Sequence, residues 1–232
     1  SSSGIGVSGS SSGIAVFGSG GSIGVSGSGS SSGVEGASSN VGVRGIGTGV
    51  GVGVRAQSDS SNIIEGYGAA SNLRFRVHNN GNVTADGTFT GGGADFAELM
   101  DLEEPSRPEA ESYQPGDVLI ISPETGKLKK GQQPYCPLVA GVYSTKPGFL
   151  GGPGMDEARP GQVPLAVIGI VPCKVTGENG PIAFGDLLVT SSTPGHAMKG
   201  TDRSQMLGAI VGKALEPLPS GTGTIKVLVT LQ

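Results

Sequence analysis

Aligned in blocks of nine, the first 54 residues hold Val7, Val16, Val25, Val34, Val43 and Val52 at one phase without an insertion. Two places later stand Gly9, Gly18, Gly27, Gly36 and Gly45, with Val54 ending the series. Two places earlier stand Ile5, Ile14, Ile23, Val41 and Val50, with Ser32 as the exception. Apolar side chains at i and i+2 face one way along an extended strand, and the Gly and Ser that follow allow a tight turn. A fixed short period of this kind marks a solenoid, because a flexible Gly/Ser linker has no reason to keep Val in phase for six repeats.

Nine residues of extended chain, at about 3.3 Å each, cannot close one turn around a core of their own. Two repeats per turn would give a calcium-binding β-roll, but that needs an Asp in each repeat, and the first Asp here is Asp59. Three identical chains winding together bury Val and Ile at a shared axis and leave no free lateral edge. The expectation for residues 1–62 is therefore a homotrimeric triple-stranded β-helix, with the in-phase valines as shaft core and the glycines as shaft turns. The V-x-G unit resembles the triple-stranded β-helices of phage tail spikes and related secretion-system spikes, in which Val and Gly recur with a similar, slightly shorter period.

Composition supports a chain of this type. Gly accounts for 44 of 232 residues, 15% are charged, 4% are aromatic and there is no Trp, which argues against a conventional α/β enzyme core. Hydrophobic residues make up 35%, too many for a disordered chain. A net charge of −4 gives no electrostatic footprint for nucleic acid, and no apolar run approaches the roughly 18 residues of a membrane span. Neither nucleic acid nor membrane insertion is expected. Ser1 without Met, and without a basic and then apolar opening, points to a processed or truncated chain. Cys136 and Cys173 are too few for a disulfide scaffold and lack zinc spacing, so they form one disulfide or remain two core thiols. No cofactor and no metal are expected.

Residues 63–93 read as a hairpin connector. Leu73, Phe75 and Val77 alternate with Arg74, Arg76 and His78, and Asn80-Gly81 favours a type I′ turn before a second strand. His78 has no neighbour in sequence that would complete a site. Residues 94–112 are a junction and an exposed Glu/Pro-rich linker.

Gly91-Gly92-Gly93 runs into Ala94-Asp95-Phe96-Ala97-Glu98. This hairpin and junction resemble the opening of the intramolecular-chaperone autoproteolytic domains at the C-termini of some phage appendage and tail-fibre proteins. That resemblance implies a domain that helps a trimeric β-fibre assemble and, in some members, cuts itself off. It makes Asp95 and Glu98 the acidic pair and Ala94–Asp95 the bond to be cut, giving a self-cleaving endopeptidase. Two carboxylates suit such chemistry, since one positions or deprotonates a nucleophile and the other protonates the leaving nitrogen. The competing reading makes Asp95 the N-cap of a short helix starting at Phe96, with Glu98 completing a capping box.

Residues 113–232 contain an internal duplication. Pro115-Gly-Asp-Val-Leu-Ile-Ile-Ser-Pro-Glu-Thr-Gly-Lys is echoed by Phe184-Gly-Asp-Leu-Leu-Val-Thr-Ser-Ser-Thr-Pro-Gly-His at an offset of 69, from Gly116 to Gly185. Short Val/Ile/Leu runs between Gly- and Pro-rich turns predict a pseudo-duplicated β-barrel or β-clip-like domain, and the fold class of the whole chain is all-β. Asp117 and Asp186 read as turn residues accepting backbone hydrogen bonds. Ser191, His196 and Asp186 can be drawn as a triad, but no nucleophile elbow or oxyanion hole accompanies them. Every Lys lies at or after Lys127, consistent with a chain of two parts.

The function expected is structural: a subunit of an extracellular, cell-surface or virion-associated trimeric fibre, capped and registered by its C-terminal domain. The partner is the chain itself, in the context of a parent fibre, a phage or secretion particle, or a cell-surface receptor. Alternatives are self-cleavage at Ala94–Asp95, a receptor- or glycan-binding tip carried by the loop 147–160, and a filament subunit stacking end to end. Because a lone buried carboxylate is costly, Val25→Asp is expected to abolish a native mass of three chains. An unchanged oligomer with unchanged thermal stability would sink the shared axis.

Overall fold

A computed structural model describes residues 41, 43–47, 52–103, 112–152 and 161–230. Val7, Val16, Val25, Val34 and Gly9, Gly18, Gly27, Gly36 lie outside the described residues. The chain divides into two units, Ser1–Gly87 and Thr88–Gln232. Every regular element beyond one 3-10 turn, Ala69–Ser71, is a β-strand, so the described residues are all-β.

In the first unit β1 (Ile64–Tyr67), β2 (Leu73–Val77) and β3 (Val83–Ala85) form an antiparallel sheet in that order. The β2–β3 hairpin falls where Asn80-Gly81 places it, but its turn is not type I′. Gly81 donates to the His78 carbonyl at 3.1 Å, and His78 donates to that of Asn82 at 2.8 Å. Among the turn residues only Gly81 has a positive φ, +89°. This is a three-residue loop whose last residue is left-handed. The side chain of Asn80 accepts from the Asn82 N–H at 3.1 Å, an Asx contact that competes with the two-residue turn.

The second unit contributes ten strands: β4 (Asp95–Asp101), β5 (Val118–Ile121), β6 (Leu128–Lys130), β7 (Val139–Tyr143), β8 (Phe149–Gly151), β9 (Gln162–Thr176), β10 (Leu187–Thr190), β11 (Ala197–Lys199), β12 (Ile210–Ala214) and β13 (Thr222–Thr230). The path β9-β13-β12-β10-β11 closes on itself through the parallel pair Ala197↔Val175, giving a five-stranded barrel. The first half follows the same path, β4-β9-β7-β5-β6, and closes through one parallel bridge, Leu102↔Leu128. Leu128 and Ala197 are 69 residues apart, so the two closures are equivalent. Two rings share β9.

The duplication persists in the hydrogen bonds. Leu119↔Lys130 corresponds to Leu188↔Lys199, and both first strands carry a register shift at the following residue on their other side. Gly131 donates to the Val118 carbonyl at 3.0 Å, as Gly200 does to that of Leu187 at 2.8 Å. The third strand of each copy is offset by 71 rather than 69: Leu119 faces Gly141 and Leu188 faces Gly212. The preceding loop is two residues longer in the second copy.

The Gly-Asp turns have the predicted role. Asp117 accepts from the Gln114 N–H at 2.8 Å and Asp186 from the Ala183 N–H at 2.8 Å. Gly116 and Gly185 take φ of +92° and +82°, which favours Gly at both. Each Asp also meets the lysine of its own hairpin, Lys130 to Asp117 at 3.2 Å and Lys199 to Asp186 at 2.9 Å. Asp117 has a second partner, Lys174 of β9, at 2.7 Å and is fully buried.

The segment opening with Asp95 is a strand, which corrects the helix-cap reading of Asp95 and Glu98. Seven residues of β4 pair antiparallel with β9, and three of them also pair with β8. That two-sided pairing outweighs a local capping signal of about 1 kcal/mol. Removing Asp117 leaves two lysines half-stranded, so Asp117→Ala is expected to cost about 3–5 kcal/mol. Asp186→Ala, with one lysine and partial exposure, is expected to cost about 1 kcal/mol, and urea unfolding of both variants checks the contrast.

Candidate functional site

The triple-glycine run and β4 form the junction singled out from the sequence. Gly91, Gly92 and Gly93 pass directly against residues 146–148. A Cβ on Gly93 would lie 1.9 Å from the Lys146 carbonyl oxygen, and one on Gly91 would lie 2.3 Å from that of Gly148. Only backbone without side chains fits that gap. The chain is then pinned on both sides of the Ala94–Asp95 bond. Ile170 donates to the Ala94 carbonyl at 3.0 Å and Gly148 to the Asp95 carbonyl at 2.8 Å. Opposite this bond Gly169, at φ +117°, has no Cβ, which would otherwise come within 2.5 Å of the Ala94 oxygen and Asp95 Cα.

Asp95 is 7% exposed, while Ala94 is exposed. Among the described residues the buried Oδ2 of Asp95 has no hydrogen-bond partner, which is unusual for a carboxylate oxygen at this depth. Glu98 lies three places on in a strand whose irregularity falls on its partner: Phe96 faces Ile168 and Ala97 faces Ala166, so Val167 of β9 is the extra residue. β4 therefore sends Asp95 and Glu98 to opposite faces of the sheet. The Glu98 carboxylate lies over Gly151, where a Cβ would come 2.7 Å from Oε1. One chain does not bring the two acids together. What it does assemble is an exposed peptide bond, one N–H donor on its carbonyl, and a buried carboxylate oxygen with hydrogen-bonding capacity to spare.

The remaining sequence candidates take structural positions. Ser191 donates its hydroxyl to the His196 and Thr193 carbonyls, at 2.8 and 3.1 Å, rather than to an imidazole. His196 Nδ1 lies 2.8 Å from the Pro194 carbonyl. Burial opposes ionisation of Asp186, but the Ala183 N–H and Lys199 hold its carboxyl below the ordinary range. No Ser-His-Asp relay forms. His78 Nε2 lies 3.4 Å from the Thr84 hydroxyl on the neighbouring strand. Cys136 and Cys173 are both free and buried, so the disulfide alternative is not realised. No three His, Cys, Asp or Glu side chains among the described residues converge where a metal ion could sit. Of the shaft positions, Val43 and Val52 are exposed in the single chain. Gly45 lets the backbone of Gly53 approach, since a Cβ there would lie 2.3 Å from the Gly53 oxygen. Residues 153–160 of the loop 147–160 lie outside the described residues.

The sequence reading missed Gly148, Gly151 and Gly169. The available signal was a glycine inside the apolar run Val-Ile-Gly-Ile-Val of β9, which often marks close backbone approach.

No family model matches the chain, and no curated protein does. Among solved structures it is similar to the pre-mature bacteriophage phi29 gene product 12, with a TM-score of 0.47 and 17% identity over 68% of this chain. The chain spans about a quarter of that protein, 25%.

Burial, reinforced by the nearby Asp117 charge, pushes the Cys173 thiol up to about 12. Thiolate, the reactive form, is then scarce at pH 8. Neither cysteine is expected to take up a thiol reagent in the native protein at pH 8, and both are expected to do so in denaturant, read as added mass.

Proposed function

We propose that this chain is a structural subunit of a homotrimeric, extracellular or virion-associated β-fibre, whose C-terminal unit associates, sets the register of the shaft and caps it. One observation carries the reading. The repeat keeps its apolar residues in strict phase, yet Val41, Val43, Ile46, Val52 and Val54 are 54–70% exposed in the single chain. A periodic apolar face that one chain leaves in water gains free energy only against other copies of itself, at about 25 cal/mol per Å² covered.

A parallel bundle of identical nine-residue repeats can slip by one repeat at small cost. The C-terminal unit has no such degeneracy. Its rings are filled by large, fully buried side chains such as Leu119, Leu128 and Leu188, each specific to its place. Copies that associate through this unit first would enter the shaft already in register.

A second reading is self-cleavage at Ala94–Asp95, favoured by the spare buried oxygen of Asp95 beside an exposed bond. In it the missing acid comes from a neighbouring copy, because β4 directs Glu98 away.

Mass spectrometry of the purified chain tests both readings. A native mass of three chains that denatures to one intact species supports the structural trimer alone. Fragments ending at Ala94 add self-cleavage, and Asp95→Asn is then expected to leave the chain intact. A native mass of one chain would overturn the fibre reading.

A further inference from the structure

The outer face of the second unit carries an apolar row that crosses four strands. Phe149 of β8 faces Phe96 of β4, Phe96 faces Ile168 of β9, and Ile168 faces Thr230 of β13. Ile170, two places on along the same face, faces Leu228. The rings of Phe96 and Phe149 are stacked, with centroids 4.7 Å apart and planes 14° apart. Yet Phe149 is 60%, Ile168 58% and Ile170 40% exposed. No charged side chain interrupts the row. The nearest on this face are Glu98, two places beyond Phe96, and Lys226, two places before Leu228, and Lys226 is paired with Glu216 at 3.1 Å.

The row originates in the bulge of β9. With Val167 as the extra residue, the face that holds Val163 and Leu165 in the first ring's core continues as Ile168 and Ile170. Beyond the bulge the core of the second ring takes Val171, Cys173 and Val175 on the opposite face. The row is therefore a core face that extends past the ring that would cover it. Large contiguous apolar patches of this kind mark interaction sites.

We infer that this row is the surface through which copies of the chain associate at the C-terminal unit, an inference that rests on the fibre reading above. Three features select a second copy as the occupant. The row begins at Phe96, one residue after the chain from the repeats enters the sheet, so copies joined upstream present their rows to one another at high effective concentration. Being uncharged, a row meets its own copy without like-charge repulsion, as closed symmetric assembly requires. The row lies on a sheet face bounded by the short strand β8, which pairs with β4 alone, so its aromatic pair stands at a margin open to a neighbour.

The test uses the full chain and two readouts. First, hydroxyl-radical labelling of the wild-type oligomer is expected to modify Phe96 and Phe149 at least about tenfold less than Phe184, which is 73% exposed and off the row. Equal labelling overturns the inference, and because only wild-type protein is used, misfolding of a variant cannot obscure it. Second, Phe149→Lys combined with Ile168→Lys is expected to lower the oligomer recovered after unfolding and refolding by at least about tenfold. Phe184→Lys combined with Leu207→Lys, at two exposed positions elsewhere, is expected to match wild type. Equal recovery for both pairs also overturns the inference. If the wild type is a single chain, the fibre reading fails. If the wild type is an oligomer with Phe149 freely labelled, the row fails and the fibre reading survives.

Discussion

The second unit depends on a single strand. β9 runs for fifteen residues from Gln162 to Thr176 and pairs with β4, β7, β11 and β13, so both rings close through it. One strand can serve two cores because of its bulge. An extra residue at Val167 reverses which alternate side chains face a given side, giving Val163 and Leu165 to one core and Val171, Cys173 and Val175 to the other. Gly169 then absorbs, at φ +117°, the close passage of Ala94 and Asp95. Bulge, glycine and junction form one mechanical feature, so the place where the chain enters the unit is set by the same residues that divide its cores.

The two copies of the duplication are not equally secured, and β9 accounts for that as well. Lys174 donates its backbone N–H to the Gly116 carbonyl at 2.9 Å and its ammonium group to Asp117 at 2.7 Å. Gly195, from the second copy's turn, packs against Asp117, where a Cβ would lie 2.8 Å from Oδ1. Asp117 is thus enclosed by both halves, with two ammonium groups and a backbone N–H filling its acceptor sites. Asp186 has one lysine and stays partly open. A buried charge is tolerated where its hydrogen bonds are complete and is costly otherwise, so the first Gly-Asp turn joins the rings while the second only shapes a hairpin.

Local signals were legible in the sequence. The two Gly-Asp turns, the 69-residue offset and the Asn80-Gly81 hairpin depend on contacts within a few residues, where backbone preference and side-chain capping decide. The failures came where distant pairing decides. Asp95-Phe96-Ala97-Glu98 satisfies a helix-capping pattern, and only β9 and β8 on either side make it a strand. Leu102 sits in what reads as the start of a polar linker, yet it bridges to Leu128 and closes the first ring. Gly148 and Gly151 carry no local signature of the space they leave for Gly93 and Glu98. Asp95 was legible as a residue of interest through a resemblance. Its separation from Glu98 to opposite faces follows from strand periodicity, once the strand is known.

These features give the two parts of the chain different physical roles. The repeat specifies phase with small side chains, and that fixes which residues meet an axis while leaving neighbouring registers nearly equal in energy. The second unit specifies position. Its cores interlock Leu119, Leu128, Ile182 and Leu188 through closed rings, and slipping any one strand by a residue would exchange buried for exposed along its whole length. A fibre built from such a chain needs its register information at one end only, provided that end associates before the shaft winds. An apolar row beginning at the first strand of the second unit, next to the point where the repeats arrive, is where that information would pass from one copy to the next.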